Sequence, residues 1–233
     1  MLTDLFSVEY FRVSRHPVYG LFAILPLLIL YEWLVIRLAD VQVFEIRNFA
    51  DVLLRQSLSS VGVKSHFILL VFLAALIIGL IVRDRDSTPL RFHYFLFIIL
   101  ESAMYSCLVG LVVGFATTKL LAQPAPIVDS VLLEKIMLSV GAGVYEEIVF
   151  RAIIFAVTAF IFIKIFKVPV LAAFIIAALF SSLIFALLHV NDREKLIFRF
   201  LAGIFFCILF QLRGLGVCAW THALYDLFIV INT

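Results

Sequence analysis

Among the ionisable residues inside apolar stretches of the chain, six fall into groups: Glu146, Glu147 and Arg151; His189; and His222 with Asp226. A charged side chain at mid-membrane costs about 2.5–3.5 kcal/mol on insertion scales. Three charges so close together would cost on the order of 8 kcal/mol facing lipid, so they must face one another, a bundle interior or water. Glu147 and Arg151 are spaced i,i+4 and can pair on one helix face. On an α-helix Glu146 points about 100° away from Glu147. An ion pair gluing helices together therefore explains Glu147 and Arg151 and leaves Glu146 over. His189 closes the stretch Phe185-Ala186-Leu187-Leu188-His189, where an interfacial histidine is as natural as a ligand. His222 and Asp226 are again i,i+4, either a structural pair in which the aspartate orients the imidazole or a catalytic one. Glutamates, histidines and a guanidinium gathered in a low-dielectric cavity make a set fit for hydrolysis: a carboxylate as general base, a histidine to share the proton, bind a metal or donate to an oxyanion. No serine or cysteine is suitably paired, so activated water is the expected nucleophile.

The elements that must position these residues are membrane helices. Of 233 residues 65% are hydrophobic and 15% charged, against roughly 45–50% and about 25% in a soluble domain. The mean hydropathy is +1.19. A soluble core of this size could not bury so much apolar surface. A span needs about 20 apolar residues, and candidates run over Pro17–Leu38, His66–Val82, Phe92–Phe115, Gly141–Ile163, Val168–His189, Leu196–Leu212 and Leu215–Ile231. The expected fold is thus all-α, a polytopic transmembrane bundle of about seven spans in one integral membrane domain, residues 1–233. Ala39–Ser65 and Ile127–Val140 are too polar to cross and are expected to hold interfacial amphipathic helices. The first apolar stretch has no small-residue cleavage site after it and reads as a retained span. With seven spans, eight basic residues collect on one side and nine on the other, which leaves orientation open. A net charge of +2 implies no nucleic-acid partner, and Cys107, Cys207 and Cys218 read as packing residues.

Depth along the helices brings the groups together. The short turn at Lys164–Lys167 predicts an antiparallel hairpin of the fourth and fifth spans. Glu146 then lies near the open end of one arm and His189 at the open end of the other. The seventh span returns toward the same side. Glu146 and Asp226 each sit about 7–8 Å below that surface, with His222 a turn deeper, so one cavity could hold all four.

At these residues the chain resembles the CAAX prenyl endopeptidases and bacteriocin-processing proteases, the CPBP or Abi family of intramembrane enzymes. That family's pattern is E-E-x-x-x-R, F-x-x-x-H and H-x-x-x-N or D on three separate helices. Here it reads Glu146-Glu147-Ile148-Val149-Phe150-Arg151, Phe185 to His189, and His222-Ala223-Leu224-Tyr225-Asp226. The matching region runs from about Val128 to the C-terminus, and residues 1–127 carry no motif. The resemblance implies an intramembrane protease in which Glu146 and His189 activate a water. It further implies that His222, with residue 226, stabilises the oxyanion, and that Arg151 holds Glu147. It implies Zn2+ or another divalent metal on Glu146, His189 and His222, or a glutamate working without one. An ionised aspartate cannot donate to an oxyanion, so Asp226 either stays protonated or serves His222 as an acceptor, and the second role is the one expected.

Two carboxylates fall outside the motifs. Glu32 is expected to pair near the interface with Arg37, and Glu101 to act as bundle glue, with a cavity wall as the alternative. The expected partners are a membrane-associated peptide or protein substrate and the lipid bilayer, in a bacterial or archaeal cytoplasmic membrane. Buried Glu, Asp and His also mark ion pathways, so a proton- or ion-coupled transporter is one alternative, and a non-catalytic bacteriocin-immunity membrane protein is another.

Overall fold

The computed structural model describes residues 7–39, 47–60, 76, 78–79, 83, 90–118, 132–188 and 193–231. All of the regular structure among them is helical: α1 (Val8–Ser14), α2 (Pro17–Ala39), α3 (Phe49–Ser60), α4 (Phe92–Thr118), α5 (Leu132–Gly141), a π-helix (Ala142–Phe155), α6 (Ala156–Lys164), α7 (Val170–Leu188) and α8 (Arg193–Ile231). Four of these are long and apolar enough to cross a membrane, over Pro17–Leu38, Phe92–Val112, Val170–Leu188 and Leu196–Ile231. Their outward faces carry exposed Ile36, Leu100, Leu111, Leu171 and Phe228. Water would penalise such an apolar shell and lipid does not.

The expected seven spans are therefore met in part. His66–Val82 lies outside the described residues except for helical Leu76, Ile78 and Gly79. Gly141–Ile163 is helical throughout but is divided among α5, the π-helix and α6 and is not one of the four long apolar helices; its first part is a π-helix where an α-helix was expected. The last two expected spans form the long α8, broken where Gly214 adopts φ 79°, ψ −178°. Only glycine takes that conformation without strain, and a Cβ there would also press on the Arg15 carbonyl at 3.2 Å. The expected turn between the sixth and seventh spans thus falls at Gly214.

The hairpin of α6 and α7 is present. Lys167 takes a left-handed φ of 55°, and Val168 N–H closes the turn on the Phe162 carbonyl at 2.9 Å. Pro169 then precedes α7, a position where a missing N–H costs nothing. α8 is the hub, packing on α2, α4, α5, α7 and the π-helix. Close approach is bought with small residues. A Cβ on Gly143 would meet the Ala219 carbonyl and the Ala223 Cβ at 2.6 Å, and one on Gly203 would meet the Ser182 Cβ at 2.8 Å. Pro26 interrupts the bonding of α2, and Trp220 Nε1 donates to the nearby Ala23 carbonyl at 2.7 Å.

Two polar clusters pin the outer elements. Glu101 accepts from Arg213 Nε at 2.5 Å and Nη2 at 2.8 Å, and from Tyr10 OH at 2.6 Å. Arg213 also donates to the Phe11 carbonyl and the Ser14 hydroxyl. Glu101 is therefore bundle glue, and Arg213, expected in a polar connector, is a buried cross-link from α8 to α1 and α4. Burial, and then the Glu101 carboxylate, push the Tyr10 phenol well above its ordinary range.

The second cluster corrects the expectation for Glu32. Its carboxylate accepts from Arg55 Nη2 at 2.5 Å and from Tyr145 OH at 2.7 Å. Arg37 instead lies over the Trp33 ring at 5.5 Å. Arg55 also donates to Asp51, which accepts from Arg47 at 2.7 Å and Tyr31 OH at 2.9 Å. Helix α3 is thus bound by its polar face: fully buried Asp51 points inward. Burial works against the Arg55 charge, but Asp51, Tyr145 and Glu32 outweigh it and hold the guanidinium more firmly protonated than usual.

Candidate active site

The π-helix brings Glu146, Glu147 and Arg151 into the bundle. Its i→i+5 bonding continues to the end, where Ala156 N–H reaches the Arg151 carbonyl. Such helices are rare and concentrate at functional sites. This one is wedged between α7 and α8, and Ser181 of α7 donates to the Phe150 carbonyl at 2.6 Å. All three charged residues are buried, at 5%, 0% and 0% exposure.

The adjacent glutamates face different partners. Glu147 Oε1 lies 2.9 Å from Arg151 Nη1 and 2.6 Å from His222 Nδ1, and its Oε2 accepts from Cys218 Sγ at 3.0 Å. Arg151 sits between two rings, 4.9 Å from Phe185 and 5.2 Å from Phe206, and such faces attract a cation. Glu146 turns the other way. Its Oε1 accepts from Asn48 Nδ2 at 2.8 Å, and its Oε2 stands 3.9 Å from His222 Nε2.

His222 is held on every side. Phe206 stacks on its ring at 4.6 Å and 22°, and Phe185 meets it edge-on. With Glu147 an acceptor at Nδ1, that nitrogen carries a proton and Nε2 faces the cavity. Asp226 Oδ2 is 3.6 Å from the same Nε2, too far for a hydrogen bond. The orienting acceptor of His222 is therefore Glu147, where the sequence pointed to Asp226.

A cavity of about 180 Å³ opens in front of these groups. Glu146, His222, Asp226, Tyr225, Phe185 and Arg199 are among its walls. It has room for several waters at about 30 Å³ each, or for a stretch of peptide backbone. The structure brings Glu146, Glu147, Arg151, His222 and Asp226 together, while His189 lies outside the described residues. Among the described residues no group of three His, Cys, Asp or Glu has the geometry to hold a metal ion. Two of the expected ligands, Glu146 and His222, do face each other, and a carboxylate behind the far ring nitrogen is how metal-binding histidines are usually oriented.

Sequence reasoning missed several members of this site. Cys218 is one turn before His222 on the same helix, and that i,i+4 spacing was the available signal. Phe206, Arg199 and Asn48 gave none, since their places depend on helix packing across long sequence separations.

Comparison with known proteins agrees with the motifs. No curated protein and no solved structure matches the chain. Residues 129–228, somewhat under half of the chain, match the family model Rce1-like, described as type II CAAX prenyl endopeptidase Rce1-like. That stretch contains the whole π-helix, α7 and the site-bearing turns of α8, so the resemblance drawn from three short motifs agrees with the match to the Rce1-like model.

Proposed function

We propose that this protein is an intramembrane endopeptidase that hydrolyses a peptide bond in membrane-associated substrates, with water activated by Glu146 and His189. The observation that carries the reading is the confrontation of Glu146 Oε2 and His222 Nε2 across a small cavity, while Glu147 locks the other side of the imidazole. In this reading Glu146 takes a proton from water as the water oxygen bonds to the scissile carbonyl carbon. The carbonyl oxygen becomes an oxyanion, and His222 in its doubly protonated form donates to it through Nε2. The C–N bond then breaks, and the proton held by Glu146 goes to the departing amine.

A divalent cation is compatible with the same residues. Glu146, His189 and the lone pair of a singly protonated His222 would hold it, and it would polarise the scissile carbonyl or the water. Prenylated C-terminal peptides are the substrate class that the family match favours.

The test compares new peptide N-termini across the membrane proteome of cells expressing the native chain or Glu146→Gln. Glutamine keeps size and polarity and cannot act as a base. Specific fragments that vanish with Glu146→Gln at equal protein level support the proposal and reveal the substrate. Identical peptide lists overturn it and turn attention to transport or immunity.

A further inference from the structure

Asn48 stands at the start of α3, and the two ends of its amide are committed in different directions. Its Oδ1 accepts the Ala50 N–H at 2.9 Å, and its backbone carbonyl accepts the Val52 N–H at 3.1 Å. These bonds make it the N-cap of α3. They also fix which end of the amide is which: with Oδ1 on a donor, the NH2 end must face Glu146, and Nδ2 donates to Glu146 Oε1 at 2.8 Å. The backbone N–H of Asn48 donates to Tyr31 OH at 3.3 Å, and Tyr31 OH donates to Asp51 at 2.9 Å. Asn48 is 8% exposed, so water competes little for any of these bonds.

The consequence falls on Glu146. A carboxylate on a long side chain can turn about its last torsion and exchange its two oxygens. With Oε1 held by Asn48, Oε2 is the oxygen left facing His222 Nε2 and the cavity. We infer that Asn48 is a positioning residue that fixes the general base Glu146 with Oε2 turned toward the reacting water. This rests on the proposed role of Glu146 as base. It also gives α3 a part in the site although that helix carries no motif. Arg47, Arg55 and Tyr31 clamp Asp51, Asp51 anchors the helix, and the helix cap delivers the amide.

The test separates positioning from capping. Asn48→Ser and Asn48→Asp both keep a good N-cap. Serine is too short to reach Glu146, and aspartate sets a second carboxylate against it. These two variants, the native chain and Glu146→Gln are compared for the fragments that depend on Glu146, and then on a synthetic peptide copied from the mapped cleavage site. Both Asn48 variants should still accumulate as folded protein, since each keeps the N-cap. Their kcat should fall about tenfold to a hundredfold, the worth of one hydrogen bond to a buried carboxylate, with KM within about twofold. Native rates in both variants beside an inactive Glu146→Gln would overturn the inference and leave the base in place. An active Glu146→Gln would sink both. A loss seen only in KM, or only as loss of folded protein, would reassign Asn48 to substrate contact or to α3 stability and overturn positioning.

Discussion

Glu147→Gln should destabilise the bundle more than Arg151→Met, although the two residues form one ion pair. Arg151 is completely buried, and among the described residues none of its three guanidinium nitrogens has a partner in hydrogen-bond geometry. Its charge is balanced by Glu147 at 2.9 Å and softened by the faces of Phe185 and Phe206. Removing one partner of a buried pair costs about 3–5 kcal/mol. The two ring faces return about 0.5–2 kcal/mol each at most, and they already do so in the native protein. Glu147 is better insured. Without Arg151 it still accepts from His222 Nδ1 and Cys218 Sγ, so Arg151→Met should cost about 1–3 kcal/mol, the range for one unsatisfied group. The double variant should lie within about 2 kcal/mol of native, because replacing a whole buried pair is often nearly neutral. The assay is reversible unfolding of the four proteins in lipid–detergent bicelles, read as a double-mutant cycle. Additive single effects, or Arg151→Met as the more damaging change, would refute the account of how this pair is held.

Other expectations follow from the same geometry. Gly143→Leu should cost about 1–3 kcal/mol and abolish fragment release, because its side chain would enter the Ala219 and Ala223 backbone and push the π-helix off α8. Gly110→Ala, with only a Tyr225 ring carbon at 3.7 Å, should leave melting and cleavage unchanged. Arg213→Met should cost about 3–5 kcal/mol and expose α1 to protease, since it strips Glu101, Phe11 and Ser14 of their common donor. Trp220→Phe should lower stability by about 1 kcal/mol through its bond to the Ala23 carbonyl, readable in the same unfolding assay.

The sequence made the helical class, the hairpin at Lys164–Lys167 and the break at Gly214 legible, because each rests on local signals: hydropathy, a short polar connector, a glycine where the chain must turn. The grouping of Glu146, His222 and Asp226 was legible from depth alone, since counting residues along neighbouring antiparallel helices gives height. What height does not give is rotation. Glu32 lies near Arg37 in sequence, yet the α2 face it occupies turns to Arg55 of α3 and Tyr145 of the π-helix. Asp226 is one turn from His222, yet the ring turns its Nδ1 to Glu147 on another helix. Spacing within one helix finds pairs that can form; packing between helices decides which ones do.

The consecutive glutamates show what that packing achieves. The two adjacent carboxylates meet opposite sides of one imidazole, Glu147 at Nδ1 and Glu146 toward Nε2. Glu147 is spent on charge: it meets Arg151, the Nδ1 side of His222 and the Cys218 thiol, and has no face on the cavity. Glu146 accepts from the Asn48 amide through Oε1 and lines the cavity wall. The order of the pair therefore matters. Exchanging the environments, with Glu147 left as the lone carboxylate in Glu146→Gln, should not restore cleavage at any pH, and activity in that variant would mean that the wrong glutamate has been given the proton.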